Sequence, residues 1–94
     1  MKYRKHVGGC MKINKDIISR VIQGDTVLLN KITGDYFSLN AVGTDIYNCL
    51  INEMEVNSIV DCLVDKYDVN AEQLKSDVIA LIENLKENEI VSDQ

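Results

Sequence analysis

The chain has 94 residues, 46% hydrophobic and 27% charged, which is enough for one small domain around one core and too little for a catalytic and a regulatory domain together. Its net charge of −5 is split: residues 1–15 carry Lys2, Arg4, Lys5, Lys12 and Lys15 without an acid, whereas residues 16–94 carry five bases against 15 acids, a balance that repels phosphate backbones and argues against nucleic acid as a partner. Five aromatic residues and no Trp leave little for base stacking, and no apolar run is long enough for a membrane span.

Residues 1–12 read as a flexible basic tail, because Gly8-Gly9 interrupts regular structure and apolar residues are sparse. Met11 offers an alternative start, and no long apolar segment follows the basic residues as it would in a secretory signal. The domain proper is expected over residues 13–94. Ile17, Ile18, Val21 and Ile22 form a β-branched run that breaks at Gly24-Asp25. Thr26-Val27-Leu28-Leu29 is a second run, and Tyr36-Phe37-Ser38-Leu39 a third after the turn signal Thr33-Gly34-Asp35. Such short connections allow only antiparallel neighbours. They predict a three-stranded meander with the first and third strands at its edges.

From Asn40 the period becomes helical. Asn40 is placed to N-cap a helix over 41–51 whose apolar face is Ile46, Tyr47 and Leu50, with Gly43 marking a close approach. Val56, Ile59, Val60, Leu63 and Tyr67 make one stripe of a second helix over 56–67. Asn70 and Gln73 resemble a capping box at the start of a third helix, which runs to about Glu87 with Leu74, Val78, Leu81 and Leu85 as its core stripe. Ile79 and Ile82 fall to one side, beside Lys75 and Lys86, as a half-apolar, half-basic shoulder beyond what one core needs. Ile90-Val91 is expected to add a short extended contact. Strands before helices predict an α+β fold with the helices on one face of the sheet.

The chain lacks a catalytic inventory. Its single histidine, His6, lies in the tail, and His6 with Cys10 has no second ligand pair at metal-binding spacing. Cys49 and Cys62 read as small buried apolar groups. Three cysteines without a C-x-x-C motif fit a cytoplasmic chain with reduced thiols. Neither a nucleophile–base pair nor a glycine-rich phosphate loop is present. No enzyme activity, cofactor or metal is therefore expected, and an open sheet beside a spare helix shoulder points to a binding module.

Val27-Leu28-Leu29, then Thr33-Gly34-Asp35-Tyr36-Phe37-Ser38-Leu39-Asn40, Ile46-Tyr47-Asn48-Cys49-Leu50, Glu55-Val56-Asn57-Ser58-Ile59, Tyr67-Asp68-Val69, Asp77-Val78, Leu85 and Ile90-Val91 occur in order over residues 27–91. This ordered set resembles the PqqD-like family, the precursor-peptide recognition elements of ribosomal peptide biosynthesis. Tyr47 stands where that family commonly has Trp, Glu55 where it has a Thr cap, and Glu89 where it has Gly.

The resemblance implies a winged-helix-like domain, a three-stranded antiparallel sheet followed by three helices. It also implies non-catalytic binding of a leader peptide, presented to a modifying enzyme such as a leader peptidase or a radical S-adenosylmethionine enzyme. A small discrete domain fits a lasso-peptide pathway best, ahead of radical-enzyme pathways that include quinone-cofactor assembly. The leader is expected as an added strand along Asp35, Tyr36, Phe37, Ser38 and Leu39, flanked by Lys75, Asp77, Val78, Ile79, Ile82 and Lys86 of the third helix. The chain itself is expected as a monomer or weak dimer, since an unpaired edge strand can self-associate. The competing reading is a winged-helix DNA-binding regulator. The acidic body opposes it, as does a second helix with Lys66 as its only base.

Overall fold

The computed structural model describes residues 11–93. In chain order these form β1 (Met11–Ile13), β2 (Ile17–Ile22), β3 (Asp25–Asn30), β4 (Tyr36–Leu39), α1 (Ala41–Ile51), α2 (Val56–Tyr67), α3 (Ala71–Glu87) and β5 (Val91–Asp93). The expected meander is present as an antiparallel sheet in the order β2-β3-β4, followed by the three expected helices.

Turn chemistry sets the register of the meander. Ile22 pairs with Asp25, so Gln23 and Gly24 alone make the β2–β3 loop, with φ of 54° and 90°. Two successive positive φ angles define the hairpin turn whose twist matches its strands. The β3–β4 connection is longer and is closed by Asn30. Its side-chain oxygen accepts the N–H groups of Ile32 at 2.9 Å and Thr33 at 3.1 Å, and its own N–H donates to the Asp35 carbonyl at 2.8 Å. In this register Leu28 stands opposite Phe37, and Thr26 opposite Leu39, on the face toward the helices. Ile18, Leu29 and Tyr36 align across the other, solvent-exposed face.

Asn40 caps α1 by accepting the Gly43 N–H at 2.9 Å. A Cβ at Gly43 would come within 3.3 Å of the Leu39 and Asn40 side chains, so glycine lets α1 start hard against the end of β4. Helices α1 and α3 end alike. Met54 N–H donates to Cys49 C=O and Glu53 N–H to Leu50 C=O; Ile90 N–H donates to Leu85 C=O and Glu89 N–H to Lys86 C=O. This is the double bond of a Schellman terminus, which puts Glu53 and Glu89 at φ of 63° and 59° where glycine is favoured. Between α1 and α2, Lys66 Nζ donates to Asp45 Oδ2 at 2.8 Å and the Tyr67 hydroxyl donates to the same oxygen. The lysine first and the tyrosine second hold the Asp45 carboxyl below the usual carboxylate range.

The core gathers Leu28 and Leu39 of the sheet, Ile46, Tyr47 and Leu50 of α1, Ile59 and Leu63 of α2, and Leu74, Val78 and Leu85 of α3. Several expectations are corrected here. Met11 and Lys12, read as tail, pair with Asp93 and Ser92, so β1 and β5 form a second, two-stranded antiparallel sheet. The residues before Met11, including His6 and Cys10, lie outside the described part. Ile82, read as a shoulder residue, is buried at 6% exposure, whereas Leu81 is only half-buried. Helix α3 packs mainly against α2 and more lightly against β5, so it is covered on more than the side that faces the sheet. Cys62 is exposed, and only Cys49 is partly buried. The Asn70 side chain accepts the Glu72 and Gln73 N–H groups, but the Gln73 side chain donates forward to Asp77 at 3.0 Å, so the capping box is one-sided. Glu55 precedes α2 without a side-chain cap bond.

Candidate peptide-binding edge

Strand β4 pairs with β3 along one side, and among the described residues no strand pairs with its other side. The phase of the ladder follows from the Asn30 N–H to Asp35 C=O bond, which makes residues 30 and 35 a hydrogen-bonded pair. Pair types alternate along an antiparallel ladder. The Leu28–Phe37 and Thr26–Leu39 pairs are therefore also hydrogen-bonded, and the Leu29–Tyr36 and Val27–Ser38 pairs are not. The backbone groups of Phe37 and Leu39 face β3. Those of Tyr36 and Ser38 face outward, leaving two N–H and two C=O groups open to a further strand.

The floor beside this edge is mixed, largely polar at the Tyr36 end and more apolar toward Leu39. A cavity of about 210 Å³ lies at the Tyr36 end, with Leu28, Phe37 and Ile90 inside and Asp35, Asn88 and Glu89 among its rim residues. A second, more open cavity of about 440 Å³ lies at the other end, lined by Phe37, Ser38, Leu39, Asn40, Gly43 and Leu81. An extended chain laid on β4 alternates its side chains every residue. Those pointing inward would enter the two cavities, while its backbone meets Tyr36 and Ser38.

Of the residues expected from sequence, Asp35, Tyr36, Phe37, Ser38 and Leu39 are brought together at this edge. The third-helix group is divided. Val78 and Ile82 are core residues. Lys75 and Ile79 are exposed, and Lys86 lines a concavity with Lys12, Ile13 and Val91 on the β1–β5 side. None of Lys75, Ile79, Ile82 and Lys86 lines either cavity beside β4. On an ideal helix Leu81 and Ile82 are about 100° apart, on opposite flanks of the Leu74–Val78–Leu85 stripe. The β4 flank is the one with Leu81, and exposed Asp77 falls on the same side of the wheel. Leu81 and Asn88 are the site residues that sequence reading missed. Leu81 shows the same apolar spacing as the core, so nothing in the periodicity separates it.

A DNA-reading role for α2 finds no support in its charges, because Lys66 is held by Asp45 and Asp61 and Asp65 are exposed on the same helix. Among the described residues no cluster of three His, Cys, Asp or Glu side chains is arranged to hold a metal, and no described helix is long and apolar enough to cross a membrane.

A family model described as coenzyme PQQ synthesis protein D (PqqD) matches residues 25–91. Among solved structures, the chain is similar to TbiB1 in complex with the TbiA(beta) leader peptide, with 31% identity and a TM-score of 0.79 over 86% of this chain and 94% of that one. It also shares the fold of a lasso peptide synthetase B1 complexed with its leader peptide, with 24% identity and a TM-score of 0.82 over 87% of this chain and 96% of that one. No curated protein sequence matches.

Proposed function

Because the chain belongs to the PqqD family, we propose that it is a non-catalytic module that binds the leader segment of a ribosomally made precursor peptide and presents the remainder to a modifying enzyme. The leader adds to the sheet as a strand on β4, a recognition mode in which main-chain bonds supply affinity and side-chain pockets supply specificity. The observation that carries this reading is the open β4 edge, with the Tyr36 and Ser38 groups turned outward beside two cavities. The complex of TbiB1 with a leader peptide supports it. A small discrete domain fits a lasso-peptide pathway best, with a separate leader peptidase as the partner enzyme.

Calorimetry with the leader and core segments of the cognate precursor tests the reading. The leader is expected to bind at roughly micromolar Kd, about −8 kcal/mol, and the core segment far more weakly. Equal affinity for the two segments would refute a leader-selective role.

A further inference from the structure

We infer that the protein also recognises an acidic flank of the same peptide, through the basic concavity between β1, β5 and the end of α3. This rests on the strand-addition reading above. The concavity measures about 460 Å³ and its lining includes Lys12, Lys15 and Lys86 around Ile13 and Val91, with Glu89 at its border. Even with Lys86 left out of the count, Lys12 and Lys15 against Glu89 reverse the balance of residues 16–94, in which acids outnumber bases threefold. The pairing of Lys12 with Ser92 and Ile13 with Val91 creates the cluster, because it carries two lysines of the N-terminal segment to the end of α3.

The basic surface is continuous with the β4 edge. Glu89 lines both this concavity and the cavity beside Tyr36 and Phe37. A peptide on β4 that runs out past Tyr36 therefore meets the turn between α3 and β5 and then the lysines. Asp35, Glu87 and Glu89 border the first cavity, so an acid in the peptide is disfavoured directly beside Tyr36 and favoured beyond the turn. Ile13 and Val91 in the same lining add apolar surface beside the lysines. The acidic remainder of the surface repels a nucleic acid, charged at every nucleotide, more strongly than a peptide flank that carries a few acids.

The test is a selection of displayed random peptides on the full chain, with the selected peptides aligned on their strand-forming core. The expected result is enrichment of Asp and Glu on one flank, a few residues beyond the core. Changing those peptide acids to Gln should weaken binding to the wild-type protein by about fivefold at low ionic strength, with the difference shrinking as salt rises. A selection on the Lys12→Glu/Lys15→Glu protein should lose the acidic flank. Strand-forming cores with uncharged flanks, or Gln-substituted peptides that bind unchanged, would overturn the inference while leaving the β4 reading intact. If no strand-forming core is enriched at all, the β4 reading fails and the acidic-flank inference falls with it.

Discussion

Replacing Ser38 by proline removes one of the two outward N–H groups of β4 while leaving the β3–β4 ladder unbroken. The Ser38–Val27 pair exchanges no ladder bonds, and Ser38 is exposed, so the cost to the free domain is confined to proline's restricted φ. The complex loses much more. One backbone hydrogen bond is worth about 0.5–1.5 kcal/mol net, and the peptide carbonyl left without a donor costs about 1–3 kcal/mol. The pyrrolidine ring also fills space that a strand at about 4.8 Å spacing needs. A loss of about 2–4 kcal/mol corresponds to a Kd roughly 30- to 1000-fold weaker. Ser38→Ala keeps the N–H and should bind as wild type. Hydrogen exchange supplies a readout free of side-chain effects: the Tyr36 and Ser38 amides should exchange rapidly in the free protein and become protected by peptide, while the Phe37 and Leu39 amides are protected in both states. A folded Ser38→Pro protein that binds its peptide with wild-type affinity refutes strand addition on this edge. New protection at Phe37 and Leu39 in place of Tyr36 and Ser38 refutes the assigned phase.

Leu81→Ala should lower peptide affinity by about 1 kcal/mol, roughly fivefold, by calorimetry; unchanged affinity would move the peptide off that flank of α3. Ile82→Glu should unfold the domain, since a charge forced into a site of 6% exposure costs about 3–5 kcal/mol, out of a total stability of about 5–15 kcal/mol. Ile79→Glu, on the exposed side, should leave the melting curve within a few degrees. Asp45→Asn should lower Tm at neutral pH. Because Lys66 and Tyr67 depress the Asp45 carboxyl, its contribution is present above the usual carboxylate range and lost as pH falls through the depressed value, so the gap between variant and wild type should close in acid. A gap that persists there would assign the effect to packing. Glu53→Gly and Glu89→Gly should each raise stability by about 1 kcal/mol in denaturant melts, since both sites hold a Cβ in the left-handed region; destabilisation would show that the glutamate side chains contribute more than the strain.

What the sequence conveys directly is local. The first hairpin turn, expected one residue late at Gly24-Asp25, the Asn40 and Asn70 caps and the Val56–Tyr67 stripe are each decided within a few residues, and the helix bounds follow from the last three. The Glu89 site shows how far such reading reaches. The resemblance marks Glu89 only as a departure from the family's usual glycine; the φ of 59° supplies the reason, a left-handed position at the helix end. What stays hidden is pairing between the ends of the chain. Three residues at Met11–Ile13 are too few for a strand signal of their own, and they become a strand only because Val91–Asp93 lies alongside.

That hidden pairing also decides which side of α3 faces the peptide. A helix with apolar residues at Leu74, Val78, Leu81, Ile82 and Leu85 has a stripe wider than one contact, and its periodicity treats the two flanks alike. The β1–β5 sheet lies by the end of α3, where Lys86 shares a concavity with Lys12 and Lys15. The flank of Leu81 is left beside β4. One long-range pairing thus assigns the apolar flank to the added strand and the basic flank to whatever lies beyond it. The shoulder residues Lys75, Ile79 and Lys86 line neither cavity beside Tyr36–Leu39. In the acidic-flank inference, Lys12 and Lys15 are the residues that read the part of the peptide that has left the sheet. Charge changes at Lys12 and Lys15 should therefore alter salt dependence without altering which residues enter the two β4 cavities, and the Leu81 substitution should do the reverse.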